Sequence, residues 1–496
     1  MKYLLIIGLF CSVPGPVDMG DPATGTVLDA ETEKPLPFTN IVILGQQKGS
    51  VSNIDGHFVL DIDSLAPGDT ILFSYMGYET LRIPAAELSG NSRICLHPTT
   101  VNIREVEVLY RSLSAREIVA MAARNLKKNH PSMPGRQQLF FHKYTKVPSP
   151  DKNQVTLVKS DFAGLDKQTF DEVFSMMPHE FIDYQDDIVE LYSDGKDHRL
   201  VPQAGISLEE ESMQALGREL EKKLGTLFED IEQSHDDEEI YYKFRSGIIS
   251  QKFKQDSVND LIWEENKLDT LNYTVSTGEI RDAVLQLLEE YSMPKSKNWE
   301  FINDRSKYNY VKEEVTSYHD ELVYRISFTP GKRGLFAGEM YISTSTFALL
   351  QLDFAFVEGK QSERFQILGF GHLTDFKQGH VIFEQGSSGY FVKYINARQH
   401  EVTRVDRKFS IMKKQKRPLV DKELNQIKIE LQLEMDVGSS WELLVLDRER
   451  MEPGQIENIA EPPFMKFRKE YAYTPEMWEN RTVIVPADEL KKYKRR

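Results

Sequence analysis

Between Gly25 and Ile83 short apolar runs alternate with turn residues at intervals too short for a helix, and that rhythm commits the segment to β structure. Thr26-Val27-Leu28 leads into a polar hairpin, Asp29 to Pro37, that holds two prolines. In Phe38 to Gly45, side chains 38, 40, 42 and 44 share one face and Thr39, Ile41 and Ile43 the other. Asn53 to Ile62 is a turn followed by alternation, with Phe58, Leu60 and Ile62 pointing one way. The Asp55-Gly56 dipeptide supplies the positive φ of a tight turn. Thr70 to Tyr78 and Thr80 to Ile83 complete a set of short, evenly spaced strands, the pattern of an all-β sandwich.

The same residues carry a family resemblance. Gly25-Thr26-Val27 with Lys34-Pro35-Leu36-Pro37, Ser52 to Phe58, and Gly68-Asp69-Thr70 through Phe73 to Tyr78 resemble the carboxypeptidase-regulatory-like domain. The resemblance implies a seven-stranded, transthyretin (prealbumin)-like β-sandwich over residues 21–108. In Bacteroidota such a domain commonly opens TonB-dependent outer-membrane proteins and related exported proteins. It implies no peptidase activity, because the domain is named for accompanying a catalytic one.

Ahead of it, Lys2 precedes the apolar run Tyr3 to Phe10, which is too short to span a bilayer and has the length of a signal-peptide core. Residues 1–20 are therefore expected to be a signal peptide. Val13 and Gly15 suit a cleavage site, but Pro16 would follow the cut. Cys11 invites a lipoprotein reading, against which Phe10 stands where a small residue is wanted. Without the leader, Cys95 is the only cysteine, so no intramolecular disulfide is expected. Within Arg93-Ile94-Cys95-Leu96 it reads as a small buried hydrophobe. No later stretch has the unbroken apolar length of a membrane helix.

At 496 residues the chain needs more than one core, and 40% hydrophobic with 10% aromatic residues is enough to build them. After the sandwich comes a helical connector over 109–135. Ser114-Ala115-Arg116-Glu117 is a capping box, Ile118, Ala122 and Leu126 make one apolar face, and His130-Pro131 stops the helix. Val101 to Tyr110 reads as a last strand or link.

Residues 136–460 read as a large β-rich domain and 461–496 as a C-terminal tail. Strands are expected at Gln138–Thr145, Gln154–Ser160, Tyr308–Ser317, Leu322–Phe328, Gly338–Ser343 and Ala348–Val357, with helices over 208–239 and Ile280–Tyr291. Tyr324 to Asp353, with its Gly338-Glu339-Met340-Tyr341-Ile342 strand, resembles lipoprotein carriers, which implies a long antiparallel sheet curled as a half-barrel around helices. Pro462-Pro463-Phe464, Tyr473 to Trp478 and Val483 to Pro486 resemble the end of Bacteroidota proteins with the same N-terminal domain. The fold class expected is thus mainly β with some α.

The chemistry is sparse. Sixty-one Lys and Arg against 77 Asp and Glu leave a net charge of −16, which argues against general nucleic-acid binding. His235-x-x-Glu238 has a zinc-ligand spacing but lies in an acidic run without an apolar frame. His179-Glu180 with Asp183 lacks the second His of a zinc helix and follows Pro178. No Gly-x-Ser-x-Gly elbow, P-loop or dinucleotide fingerprint is present. Arg404 to Arg417 holds seven Lys or Arg and reads as a solvated loop, the alternative being contact with anionic lipid headgroups or lipopolysaccharide phosphate. The Asp-Ser/Thr-apolar tripeptides at Asp63, Asp69, Asp256 and Asp269 fit an O-glycosylation pattern of exported Bacteroidota proteins.

The expectation is a non-catalytic exported protein of the periplasm or outer membrane, binding or assembling there and holding an apolar, lipid-like ligand. No catalytic, cofactor-binding or metal-binding residue is assigned, no cofactor is expected, and the partner expected is the outer membrane or a lipid. The alternatives are a hydrolase with an unrecognised site and an accessory protein of a TonB-dependent transport system. A TonB-dependent barrel itself fails on length.

Overall fold

The computed structural model describes residues 22–99, 113–208, 239–253 and 272–487, apart from isolated positions and short gaps within them. The expected leader with Cys11, Val101–Tyr110, residues 209–238 of the helix expected over 208–239, with His235 and Glu238, and the basic C-terminus lie outside the described residues.

The N-terminal strands are β1 (Ala23–Asp29), β2 (Asn40–Ile43), β3 (Gly49–Val51), β4 (His57–Leu60), β5 (Thr70–Ser74), β6 (Leu81–Pro84) and β7 (Ser92–Leu96). They form two sheets, β4-β1-β7 and β3-β2-β5-β6, which is the expected seven-stranded sandwich. Between the sheets lie Val27, Ile41, Phe58, Leu60, Ile71 and Phe73. Each is all but inaccessible, and burying one such side chain stabilises by about 1.5–3 kcal/mol. Gly56, at φ +78°, turns the chain between β3 and β4, and a Cβ there would meet the Val27 carbonyl at 2.7 Å. Cys95 is exposed, contrary to expectation. Along β7, Ile94 and Leu96 face inward, so the period-two alternation turns Arg93 and Cys95 out.

The remaining strands are β8 (Gly135–Pro148), β9 (Gln154–Ser160), β10 (Glu180–Ser193), β11 (His198–Leu208), β12 (Ile240–Ser246), β13 (Ile249–Phe253), β14 (Asn272–Ser276) and β15 (Tyr308–Tyr318). They continue with β16 (Glu321–Pro330), β17 (Phe336–Ser343), β18 (Leu349–Phe356), β19 (Ser362–Ile367), β20 (Phe370–Gly386), β21 (Gly389–Gln415), β22 (Lys422–Arg450) and β23 (Phe464–Glu470). The main path is β14-β23-β11-β10-β8-β22-β21-β20-β18-β17-β16-β15, and its two end strands do not pair with each other. Among the described residues the sheet is therefore open, and of its pairs there only β11 with β23 is parallel.

Among the described residues, three helices of two turns or more accompany it: α1 (Ala115–Asn129), α2 (Lys167–Ser175) and α3 (Thr277–Ser292). The capping box starts α1 as expected, with the Glu117 N–H donating to Ser114 Oγ and the Ser114 N–H to Glu117 Oε2. Ile118, Ala122 and Leu126 of α1 and Ile280, Val284 and Leu287 of α3 share one core with residues from β23 at one side to β15 at the other. Laid flat, the strands between them would be roughly 50 Å wide, more than two helices cover, so the sheet curls around them. Trp299, Phe301 and Phe328 fill the middle of the trough, fully buried. The packing is close enough to require glycine: a Cβ on Gly379 would meet Phe354 at 2.5 Å and Tyr291 at 2.9 Å.

Two segments differ from expectation. Arg404–Gln415 is strand rather than loop, because β21 pairs with β22 on one side and, on the other, with β20 up to Val405 and with β12 from Phe409. Beyond its last pairing with β20 at Val405, β21 runs on to Gln415. With β22, β9, β12 and β13 it forms an arm, closed by a small core of Leu157, Phe162, Phe170 and Ile427. The segment after residue 460, set apart by sequence as a tail, enters the sheet as β23 and then buries Met477, Trp478, Val483 and Ile484 against the outer face.

Candidate binding cleft between sandwich and sheet

The outer face of the curled sheet carries the sandwich. Val51 of β3 joins Phe140, Tyr184, Ile188, Tyr394 and Leu444 of the sheet in one core. This explains why β2 is buried along its whole length. Ile41 faces the sandwich interior, while Phe38, Asn40 and Val42 face the large domain, as the alternation from Phe38 to Gly45 separated them. Asn40 Nδ2 donates to Tyr318 Oη at 3.3 Å, and the Gly77 N–H to the Ser317 carbonyl at 3.0 Å. The C-terminal segment clamps the other side, where Asn53 Nδ2 donates to the Val485 carbonyl at 3.0 Å and the Asp61 N–H to Thr482 Oγ1 at 2.9 Å.

Beneath the sandwich a row of polar residues crosses the sheet at one level. Asp186 of β10 stands opposite His142 of β8, which stands opposite Glu442 of β22, and next comes Asn396 of β21. The row continues through His380 of β20, Asp353 of β18 and Glu339 of β17. His142 Nδ1 and Asp186 Oδ1 are 2.6 Å apart, and the second Asp186 oxygen accepts from Tyr184 Oη at 2.9 Å and Trp478 Nε1 at 3.2 Å. Burial works against a charge on His142, but the charge and hydrogen bond of Asp186, and then Glu442, raise its pKa. Asn396 Nδ2 donates to Glu442 at 2.8 Å, Tyr394 also bonds Glu442, and His380 bonds Asp353. His142 and Asp186 are nearly inaccessible, so this dyad is satisfied internally and sealed beneath Trp478.

A cleft opens beside this contact. Its volume is about 460 Å3, and its apolar walls are Val42, Leu44 and Leu72 of the sandwich and Leu350, Phe383 and Tyr390 of the sheet. Glu321, Glu384 and His319 stand among these walls and make the polar part acidic. Burial holds the His319 imidazole down to about 4, so it faces the cleft uncharged at neutral pH. A smaller hollow of about 260 Å3 lies between Ile43, Gly49 and Asp61 of the sandwich and Gln138, Ile188 and Arg481. The cleft can take an apolar group of modest size, neutral or cationic at its polar end.

His179, His235 and Glu238 lie outside the described residues. Glu180 and Asp183 fall on β10, a strand rather than a zinc helix, and pair with Lys146 at 2.8 Å and Lys143 at 3.0 Å. The structure instead brings Glu363, His372 and Glu401, from three adjacent strands, within 4.8 Å of one another, a set that could hold a metal ion. Neither these three nor the polar row has a sequence signal: His142 and Glu442 are cross-strand neighbours 300 positions apart. Of the cleft, the double-faced alternation of Phe38 to Leu44 was the part open to sequence reading.

No curated protein matches the chain. Among solved structures it is similar to a LolA superfamily protein from Nitrosomonas europaea, 9% identical, covering 70% of this chain and 99% of that one, with a TM-score of 0.18. A second is MucB in complex with MucA(peri), 6% identical, covering 71% of this chain and 99% of that one, with a TM-score of 0.17. Residues 23–108 match the family model of the CarboxypepD_reg-like domain, the family that the Lys34–Pro37 and Ser52–Phe58 motifs resemble.

Proposed function

We propose that the chain is a non-catalytic binding protein of the bacterial envelope, in which sandwich and sheet together grip an apolar portion of a ligand. The observation that carries this reading is the cleft of about 460 Å3, whose apolar walls come from both domains. The trough of the sheet is filled by Trp299, Phe301 and the helices, which favours the cleft beside the sandwich, at the end of the β20–β21 hairpin. The non-catalytic reading is supported by the sealing of the His142–Asp186 dyad. Export rests on the apolar run after Lys2, and a periplasmic or outer-membrane location on the company such sandwiches keep.

Two experiments test the reading. The neutral fluorophore N-phenyl-1-naphthylamine should bind saturably and be lost from Leu44→Glu, which leaves the fold intact because Leu44 is 57% exposed. Cell fractionation should recover the chain from the envelope; recovery from the cytoplasm alone overturns the location.

A further inference from the structure

The tip of the arm combines features that neither the sandwich nor the cleft uses. Beyond Val405, where β20 stops, β21 continues ten residues to Gln415, carrying the tip roughly 30 Å clear of the main sheet edge. At its end Leu419 is 97% exposed and Val420 79%, adjacent apolar side chains at the outermost turn of a charged hairpin. Lys416, Arg417 and Lys422 surround them, all exposed, with Lys414 half-buried behind. Between residues 413 and 423 there are five cations and two carboxylates, in a chain whose net charge is −16.

The tip is also firmly mounted. The Lys416 N–H donates to the Glu239 carbonyl at 2.8 Å, and β12 pairs with β21 as far as Gln415. Of the two carboxylates, Asp421 is turned back into the arm, where it accepts from Tyr241 Oη at 2.5 Å and from the Arg417 N–H at 3.3 Å. What projects is a short apolar wedge in a mainly basic collar, in which Glu423 is the one exposed carboxylate.

We propose that this tip docks the protein on an anionic bilayer surface, with Leu419 and Val420 entering below the headgroups and Lys416, Arg417 and Lys422 meeting lipid phosphates. Apolar insertion and counter-charge act together at such a surface, neither sufficing alone. The arm's length serves the same end. It holds the acidic body beyond the screening distance of about 8–10 Å at physiological salt, so the repulsion that net charge would cause is screened while the tip attraction is not. This inference is independent of what fills the cleft.

The test is co-sedimentation of the full chain with phosphatidylcholine vesicles, with and without phosphatidylglycerol, at low and high salt. The wild-type chain should sediment with the anionic vesicles and be released by salt. Lys416→Glu with Arg417→Glu should weaken sedimentation by at least about 25-fold, at about five-fold for each cation lost. Leu419→Ser with Val420→Ser should weaken it about ten-fold, and circular dichroism should be unchanged in both because the residues are exposed. Leu419→Trp gives a direct reading: its emission should shift to the blue on adding anionic vesicles. Absence of wild-type sedimentation, equal sedimentation of the variants, or an unshifted Leu419→Trp emission on bound protein overturns the proposal.

Discussion

The ring of Phe38, in the sandwich, lies 4.5 Å centroid to centroid from the imidazole of His380 on β20, and 5.6 Å from the ring of Tyr394. Phe38 reaches them from a left-handed backbone at φ +60°, which costs a residue other than glycine about 1 kcal/mol or more. That cost is sustained because the ring covers the middle of the polar row, where His380 bonds Asp353. Phe38→Ala should lower the stability of the full chain by about 2 kcal/mol, the loss of a half-buried aromatic contact. Chemical denaturation of the two proteins side by side measures it. An unchanged midpoint would mean that the sandwich rests on the sheet without this contact.

A second prediction concerns the trough. Gly379 lies under Tyr291 of α3, and even a methyl group there would stand 2.5 Å from Phe354. Gly379→Ala should destabilise by about 1–3 kcal/mol through overpacking. Combining it with Tyr291→Leu should recover part of that loss, because the two residues share one contact.

His130, at the end of α1, accepts the Leu349 N–H on Nε2 at 3.2 Å and is otherwise held among apolar neighbours. Burial lowers its pKa from 6.5 to about 4. The unfolded chain therefore binds the proton first. The stability that neutral His130 contributes is full above about pH 6.5 and is lost as the pH falls toward 4, amounting to about 3 kcal/mol. His130→Gln keeps an acceptor and removes the titration, so its stability should fall less across that window in denaturation curves taken at several pH values.

Asp187 behaves in the opposite sense. It is wholly buried, bonded by Gln185 Nε2 at 3.1 Å, and burial pushes its pKa well above the usual 3.8. Its folded form favours the protonated acid, so its contribution is full below pH 3.8 and lost as the pH rises. Asp187→Asn should then stabilise the chain at neutral pH, by about 2 kcal/mol, and change little at pH 3. A destabilised Asn variant at neutral pH would show the carboxylate to be needed.

The local elements were legible because their signals are local. Gln154–Ser160, the Ser114–Glu117 cap and the four strands from Tyr308 to Phe356 each announce themselves within about ten residues through period-two or period-four patterning. Cys95 was misjudged because three apolar-looking residues in a row hide which one alternation turns outward. The basic run after Arg404 looked like a loop because charge suggests solvent, yet its backbone is paired on both sides. The cleft and the polar row depend on register between strands hundreds of residues apart, and no window of sequence contains that information. The Phe38–Leu44 strand was the exception: its two faces separate in the sequence, and in the fold Ile41 packs in the sandwich core and Phe38 on the large domain.

The central claim is that sandwich and sheet jointly form an apolar binding cleft, and titration with N-phenyl-1-naphthylamine tests it most directly. Saturable one-site fluorescence enhancement in the wild-type chain is predicted. It should be lost in Leu44→Glu from the sandwich wall and retained in Leu419→Ser with Val420→Ser at the arm tip. Enhancement that is absent from the wild type, or that survives Leu44→Glu undiminished, would contradict the account.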